Sequence, residues 1–257
     1  MIYRKLLIVA IAFLFTIPIK VYSAEWQEIE KRGELVIGVK DNLRPLGYRD
    51  LEGNLQGFEI DIAHRLALEL FGDEKALQLI PLTNQDRIQK VTDIEVDLAI
   101  ASITVNTSRQ RIVDFSDFYY LDATGIIVKK GQINPNIRNF SGKIGILNNS
   151  RAIAQIRYNL PQAKLKEVSS YQQALEFLES GEIQGFAGDI TILTGWIQEN
   201  PNYQLLPNIF GGYPLAIALP KGRQYQELRD KVNGVIRKLK QEGWLEERAK
   251  YWDLPTN

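Results

Sequence analysis

The sequence predicts an α/β protein of two lobes tied together by two extended chain crossings. Three observations predict it. Short apolar runs alternate with helical periodicities from Leu35 to Ala101, and the same alternation restarts at Ile144 and runs to Gln198. Two long extended segments, Tyr119 to Lys129 and Tyr213 to Leu219, fall after the first series and after the second.

The elements follow in chain order. Leu35 to Val39 is an apolar run bounded by charges, as in a buried strand. Asp41 to Gly57 is rich in turn formers, and Glu52-Gly53-Asn54 predicts a tight reversal between two extended pieces. From Phe58, the residues Ile62, Leu66 and Leu70 with Ala63 and Ala67 recur at helical spacing and stop at Gly72, a C-cap. Strand Leu77 to Leu82, a helix opened by Asn84 and carrying Arg87, Ile88 and Val91, and strand Asp97 to Ala101 complete a first layer with a largely parallel sheet.

The second series reads as strand Ile144 to Leu147, a helix from Ser150 to about Asn159, strand Leu165 to Val168, helix Tyr171 to Glu179, strand Gln184 to Ala187 and a helix from Ile190 to about Gln198. Two C-terminal helices, Tyr225 to Glu242 and Trp244 to Trp252, are broken at Gly243. The expected organisation is lobe one over 24–120 and 218–257, lobe two over 121–217, and hinge strands at about 119–124 and 213–218. A two-strand hinge favours closure on a ligand over rigid docking.

Composition excludes several chemistries. With no Cys, the 257-residue chain has no thiol nucleophile, thiolate metal site, disulfide or cysteine lipid anchor. The single His64 leaves no multi-histidine zinc site. Equal numbers of basic and acidic groups, 31 of each, argue against a nucleic-acid binder.

Residues Met1 to Ser23 have a charged start (Arg4, Lys5), an apolar run from Leu6 to Ile17 and small residues before Ala24. A run of about twelve residues is short of the roughly 20 that span a bilayer, so this stretch is read as a cleaved signal peptide, 1–23. Cleavage leaves 28 basic against 31 acidic groups, a net charge of −3. The expected product is a released, mildly acidic protein, periplasmic where the cell has two membranes.

Ligands of open α/β sheets sit beyond the carboxyl ends of the strands, here the turns after Val39, Ala101, Leu147 and Ala187. Those turns carry Lys40 to Pro45, Ser102 to Arg111 continuing to Tyr120, Asn149-Ser150-Arg151, and Gly188-Asp189. With Gly57 to Ala63 opening the first helix, Thr104 and Arg109 spaced as Thr-x4-Arg, Phe115 to Tyr119, Pro220-Lys221-Gly222, and Asp230 to Asn233 leading through Gly243 to Tyr251-Trp252, the mature chain resembles the extracellular solute-binding proteins of family 3.

The resemblance implies two Rossmann-like α/β lobes joined by a two-strand hinge, the type II periplasmic binding protein fold. It also implies capture of a polar or charged amino acid for an ABC importer. No catalysis, metal or cofactor is expected, and the partners are the amino acid and an inner-membrane permease, with the protein itself a monomer. In the implied site, Arg109 holds an α-carboxylate bidentately. Thr104 and the backbone around Ser102 add donors, and Asp189 takes the ammonium from the other lobe. Asp41 faces the ligand side chain, Ser150 caps its helix and donates, and Asp61 is structural. Thr104 and Asp189 equally suit N-cap roles, and Arg111 competes with Arg109.

Two departures fall where specificity is set. Leu43 and Arg44 stand where many relatives have an aromatic ring, which Tyr48 could replace; Arg151 stands beside Ser150 in place of the common Gly-Thr. Arg151 points toward an acidic ligand, Asp41 the opposite way. Two other readings compete: a prephenate or arogenate dehydratase-like enzyme using Asp189 or Asp41 as general acid, and a soluble ligand sensor for a membrane receptor.

Overall fold

The apolar runs and helical faces meet around one continuous sheet in the computed structural model, which describes residues 24–131, 140–148 and 150–256. The expected leader at 1–23 and Asn149 lie outside the described residues. Helix α1 (Trp26–Arg32) leads into β1 (Leu35–Val39), whose five residues are all buried because strands flank it on both sides and helices cover both faces. Strands β2 (Asn42–Leu43), β3 (Gly47–Arg49) and β4 (Leu55–Gln56) form a small antiparallel meander. Helix α2 (Phe58–Phe71) turns Phe58, Ile62, Ala63 and Leu66 inward and ends at Gly72, in the left-handed region at φ 76°, with its N–H on the Leu68 carbonyl.

Strand β5 (Leu77–Pro81), helix α3 (Arg87–Thr92), strand β6 (Leu98–Ile100) and the single turn α4 (Thr107–Gln110) precede β7 (Val113–Lys129), seventeen residues long. Asn84 does not open α3. Thr83 and Asp86 bond each other reciprocally, Thr83 N to Asp86 Oδ1 at 2.7 Å and Asp86 N to Thr83 Oγ1 at 3.3 Å, and this closed turn delays the helix to Arg87.

The second half runs β8 (Lys143–Leu147), α5 (Ala152–Asn159), β9 (Lys164–Val168), α6 (Tyr171–Glu179), β10 (Gly185–Asp189), α7 (Ile190–Glu199), β11 (Tyr203–Leu205) and β12 (Phe210–Pro220). Helices α8 (Gln226–Gln241) and α9 (Trp244–Tyr251) follow, separated by Gly243 at φ 74°. They pack on the first half, where Asp61 ties α2 to the chain's last helix by accepting from Trp252 Nε1 at 2.8 Å and Arg248 Nη1 at 3.3 Å. His64 is half-buried with Nδ1 2.9 Å from the Glu74 carbonyl.

The layer of the first series is parallel, as its alternation predicts, and the sheet that contains it is mixed. Two parallel triplets, β5-β1-β6 and β10-β8-β9, are joined by an antiparallel centre in which β6 pairs β12, β12 pairs β7 and β7 pairs β10. The chain goes out along β7 and comes back along β12, and two such adjacent strands run opposite ways. Each triplet is covered on both faces. Around the first, one cluster holds Ile37, Phe58, Leu66, Ile217 and Ile236 and another Val36, Val91 and Ala218; around the second, one holds Ile144 and Ile156 and another Phe186, Leu193 and Trp196.

The two lobes so formed touch beside the sheet. Gln198 Nε2 on α7 donates to Trp252 O and Asp253 Oδ2, both at 3.1 Å, and a Cβ at Gly195 would stand 2.1 Å from the Arg44 carbonyl oxygen. No side chain fits at 195 with the lobes this close. Gly195→Ala favours an isolated helix by about 0.5–1 kcal/mol, yet it must hold α7 away from the Arg44 loop. The expected result is a larger radius of gyration by small-angle scattering with an undiminished urea midpoint; superimposable scattering curves for variant and parent would refute it.

Candidate functional site

Between the lobes lies a cleft of about 830 Å³. Lobe one supplies Lys40 and Asp41 after β1, Arg87 on α3, Ser102 and Thr104 after β6, and Arg109 on α4. Lobe two supplies Arg151, Tyr171 at the start of α6, Asp189 at the end of β10, and Ile192. Four cationic side chains and two carboxylates face one cavity.

Arg109 is aimed by its own turn. Asn106 caps α4, its Oδ1 accepting from Arg109 N at 2.9 Å, and Arg109 Nη1 then donates to Thr104 O at 2.8 Å and Thr104 Oγ1 at 3.0 Å. Thr104 is therefore not a helix cap. It is held by a bridge to Leu215 on β12, which fixes where the Arg109 fork points. Burial, and then the charge of Arg151, lower the Arg109 pKa, so a nearby anion is favoured.

The floor beneath Thr104 is a buried polar network. Glu59, fully buried on α2, accepts from Ser102 N at 2.7 Å and from the Tyr119 hydroxyl. Arg87 Nη1 donates to the carbonyls of Ala101 at 2.5 Å and Ser102 at 2.9 Å. Ser102 is thus gripped at both its N–H and its C=O, in the left-handed region at φ 53°. Its main-chain donor is engaged by Glu59, so what it presents to the cleft is its side chain. Burial pushes the Glu59 carboxyl up to about 6, against the hydrogen bonds from Tyr119 and Ser102 that oppose the shift. Lys40 Nζ donates to Leu82 O at 2.8 Å, and burial lowers its pKa.

On lobe two, Asp189 stands at the N-cap position of α7 without a capping bond from its side chain. Its carboxylate goes instead to Arg151, whose Nε and Nη2 donate to Oδ1 at 3.1 Å and Oδ2 at 2.5 Å. Arg151 Nη1 also reaches Thr104 Oγ1 on lobe one at 3.2 Å, and its guanidinium lies 4.3 Å from the centre of the Tyr213 ring. Burial works against the Arg151 charge, and the bonds to Asp189 outweigh it, so its pKa ends raised. Beneath Asp189, Asp122 on β7 accepts from Thr191 Oγ1 at 2.9 Å; burial, then the Asp189 charge, push its carboxyl up to about 6.

The cleft brings together Asp41, Ser102, Thr104, Arg109 and Asp189. Asp41 is 3.4 Å from Arg49, an ion pair at the rim. Ser150 sits beside the cleft, its hydroxyl accepting from Ala152 N at 3.2 Å to start α5. Tyr48 does not supply a ring: it is buried, covered by the Arg44 guanidinium at 3.8 Å and edge-on to Trp252. The aromatic wall is Tyr171, whose ring meets Trp196 edge-on at 6.2 Å. Tyr171 follows the carboxyl end of the strand ending at Val168 and Lys40 that of the strand ending at Val39, so the rule that found the other loops reaches both; Glu59 and Arg87 carry no comparable signal. Among the described residues no group of three or more histidines, aspartates and glutamates is placed to hold a metal ion.

Comparison with known proteins follows the same outline. The family of bacterial extracellular solute-binding proteins, family 3, matches residues 35–255. The glutamine-binding protein of an ABC transporter from Bacillus subtilis (strain 168) is 33% identical over 87% of this chain and 82% of its own. A glutamine-binding protein of Geobacillus stearothermophilus is 31% identical over 76% of each. The solved structure of an ancestral cationic amino acid solute-binding protein superimposes with a TM-score of 0.73 at 25% identity, covering 88% of this chain and 98% of that one.

Glu59 links the floor to pH. Its carboxyl binds a proton more tightly folded, at about 6, than at the 4.5 of an unperturbed glutamate, so its stabilising share is full below 4.5 and lost as pH rises past 6. That loss is about 2 kcal/mol. Urea unfolding at pH 4.5 and pH 7 is expected to show Glu59→Gln losing less stability between the two than the parent does; an equal loss in both proteins would show that the Glu59 proton plays no part.

Proposed function

We propose, on the premise that the chain belongs to the bacterial extracellular solute-binding proteins, family 3, that its cleft captures a polar or charged amino acid and hands it to an ABC importer. One observation carries the reading: Arg109 and Asp189, a forked cation and a carboxylate, face a single cleft from opposite lobes. An amino acid bears a carboxylate and an ammonium on the same carbon. Arg109 and the Thr104 hydroxyl receive the first, Asp189 the second, so each lobe is satisfied only when the molecule spans both. Lys gives no planar fork in the place of Arg109.

The fold is that of the type II periplasmic binding proteins, and β7 and β12 serve as the hinge between lobes bounded at about 119–124 and 213–218. Asp41, Ser102 and Ser150 contribute side chains around the ligand. The named relatives are binding proteins, two of them for glutamine, which supports an amino acid as the cargo. Export through a cleaved leader, a periplasmic location, release as a monomer and an inner-membrane permease as acceptor complete the proposal.

Calorimetric titration of the mature protein with the twenty standard amino acids tests it. At least one is expected to bind, and Arg109→Ala and Asp189→Asn each to weaken that binding at least tenfold, about 1.4 kcal/mol. Unchanged affinity in both variants would remove the clamp.

A further inference from the structure

The charge carried by the cleft narrows the cargo. Both carboxylates that face it have arginine partners, Asp189 with Arg151 at 2.5 Å and Asp41 with Arg49 at 3.4 Å. The cations are more numerous: Lys40, Arg87, Arg109 and Arg151. Arg109 and Arg151 come from different lobes, yet both place Nη1 on the Thr104 hydroxyl, at 3.0 and 3.2 Å, so these two nitrogens lie within about 6 Å of each other. Two like charges this close are opposed by mutual repulsion and favoured by an anion.

An ammonium arriving at Asp189 shares a carboxylate whose two oxygens already accept from Arg151, and so weakens that ion pair. The Arg151 guanidinium, over the Tyr213 ring and sharing the Thr104 hydroxyl with Arg109, is left with less of its counter-charge. What the far end of the ligand carries then decides the outcome. A carboxylate gives the Arg151 fork a new bidentate partner, an amide gives a neutral acceptor, and a guanidinium or ammonium adds a fifth cation to the cleft.

Resting on the amino-acid-binding reading, we infer that Arg151 makes this site selective for acidic amino acids, glutamate or aspartate, over glutamine and arginine. Arg109 takes the α-carboxylate and Arg151 the side-chain carboxylate. The preference stands apart from the glutamine named for two relatives, and its physical basis is an arginine whose carboxylate partner is shared with the ammonium of the ligand.

Titration calorimetry with glutamate, aspartate, glutamine and arginine, on the mature protein and on Arg151→Met, decides it. The expected result is acidic ligand binding at least tenfold tighter than glutamine or arginine, with that ratio falling at least tenfold in R151M. If R151M shows no folded baseline in a thermal melt, R151K, which keeps the charge without the fork, is read the same way with a smaller fall. Glutamine or arginine binding as tightly as glutamate would overturn the inference and leave amino-acid binding standing. An acidic preference that survives intact in the folded variant would overturn the role of Arg151. No heat with any amino acid would bring down both readings together.

Discussion

The antiparallel pairing of β7 with β12 is the contact on which both lobes hang. β7 meets Pro220 through its first residue, Val113, and Phe186 through Ile127 near its end, so a single strand belongs to the first core and the second. Register shifts between Phe210 and Tyr213, Leu215 and Ala216, and Ala216 and Ala218 break the ladder where the chain passes between lobes. Such irregularities leave residues without a cross-strand partner and bend the strands locally. The same stretch places Asp122 under Asp189, Leu215 against Thr104 and Tyr213 behind Arg151. Backbone geometry at the crossing and side-chain geometry in the cleft are thus one arrangement.

Beneath the cleft, position is secured by buried polar groups that bond the main chain of Ser102, with Glu59 Oε2 and Arg87 Nε left without a hydrogen-bond partner. Glu59 and Arg87 approach Ser102 from opposite sides and hold its two main-chain groups in a conformation that non-glycine residues adopt at a cost. A buried carboxylate and guanidinium are costly when unpaired, so each holds the other's neighbours in place. The rigidity of this floor lets Thr104, two residues on, serve two arginines at once.

Much of this was legible in the residue order. Apolar runs such as Leu35–Val39 and the Phe58–Gly72 periodicity fix strands and helices because burial dictates them locally. Arg109 and Thr104 are five apart on one turn, and Asp189 ends a strand, so each is reachable by short-range rules. What escaped depends on pairing at a distance. The antiparallel centre of the sheet follows from which strand lies beside which, and Ser102's spent N–H from Glu59 forty-three positions earlier. Arg151 reads from the sequence as pointing toward an acidic ligand, and only the fold sets it against Asp189, thirty-eight residues away.

The aromatic contacts of lobe two have an optical consequence. Tyr171 lines the cleft and touches Trp196, which itself packs on Phe186 at 5.4 Å and neighbours Gly195, the point of contact with the Arg44 loop. The Trp196 indole N–H is buried without an acceptor, so any water or carbonyl admitted there alters the polarity around that ring. The molecule therefore carries a chromophore at the contact between its halves, one whose emission reports the polarity of that contact.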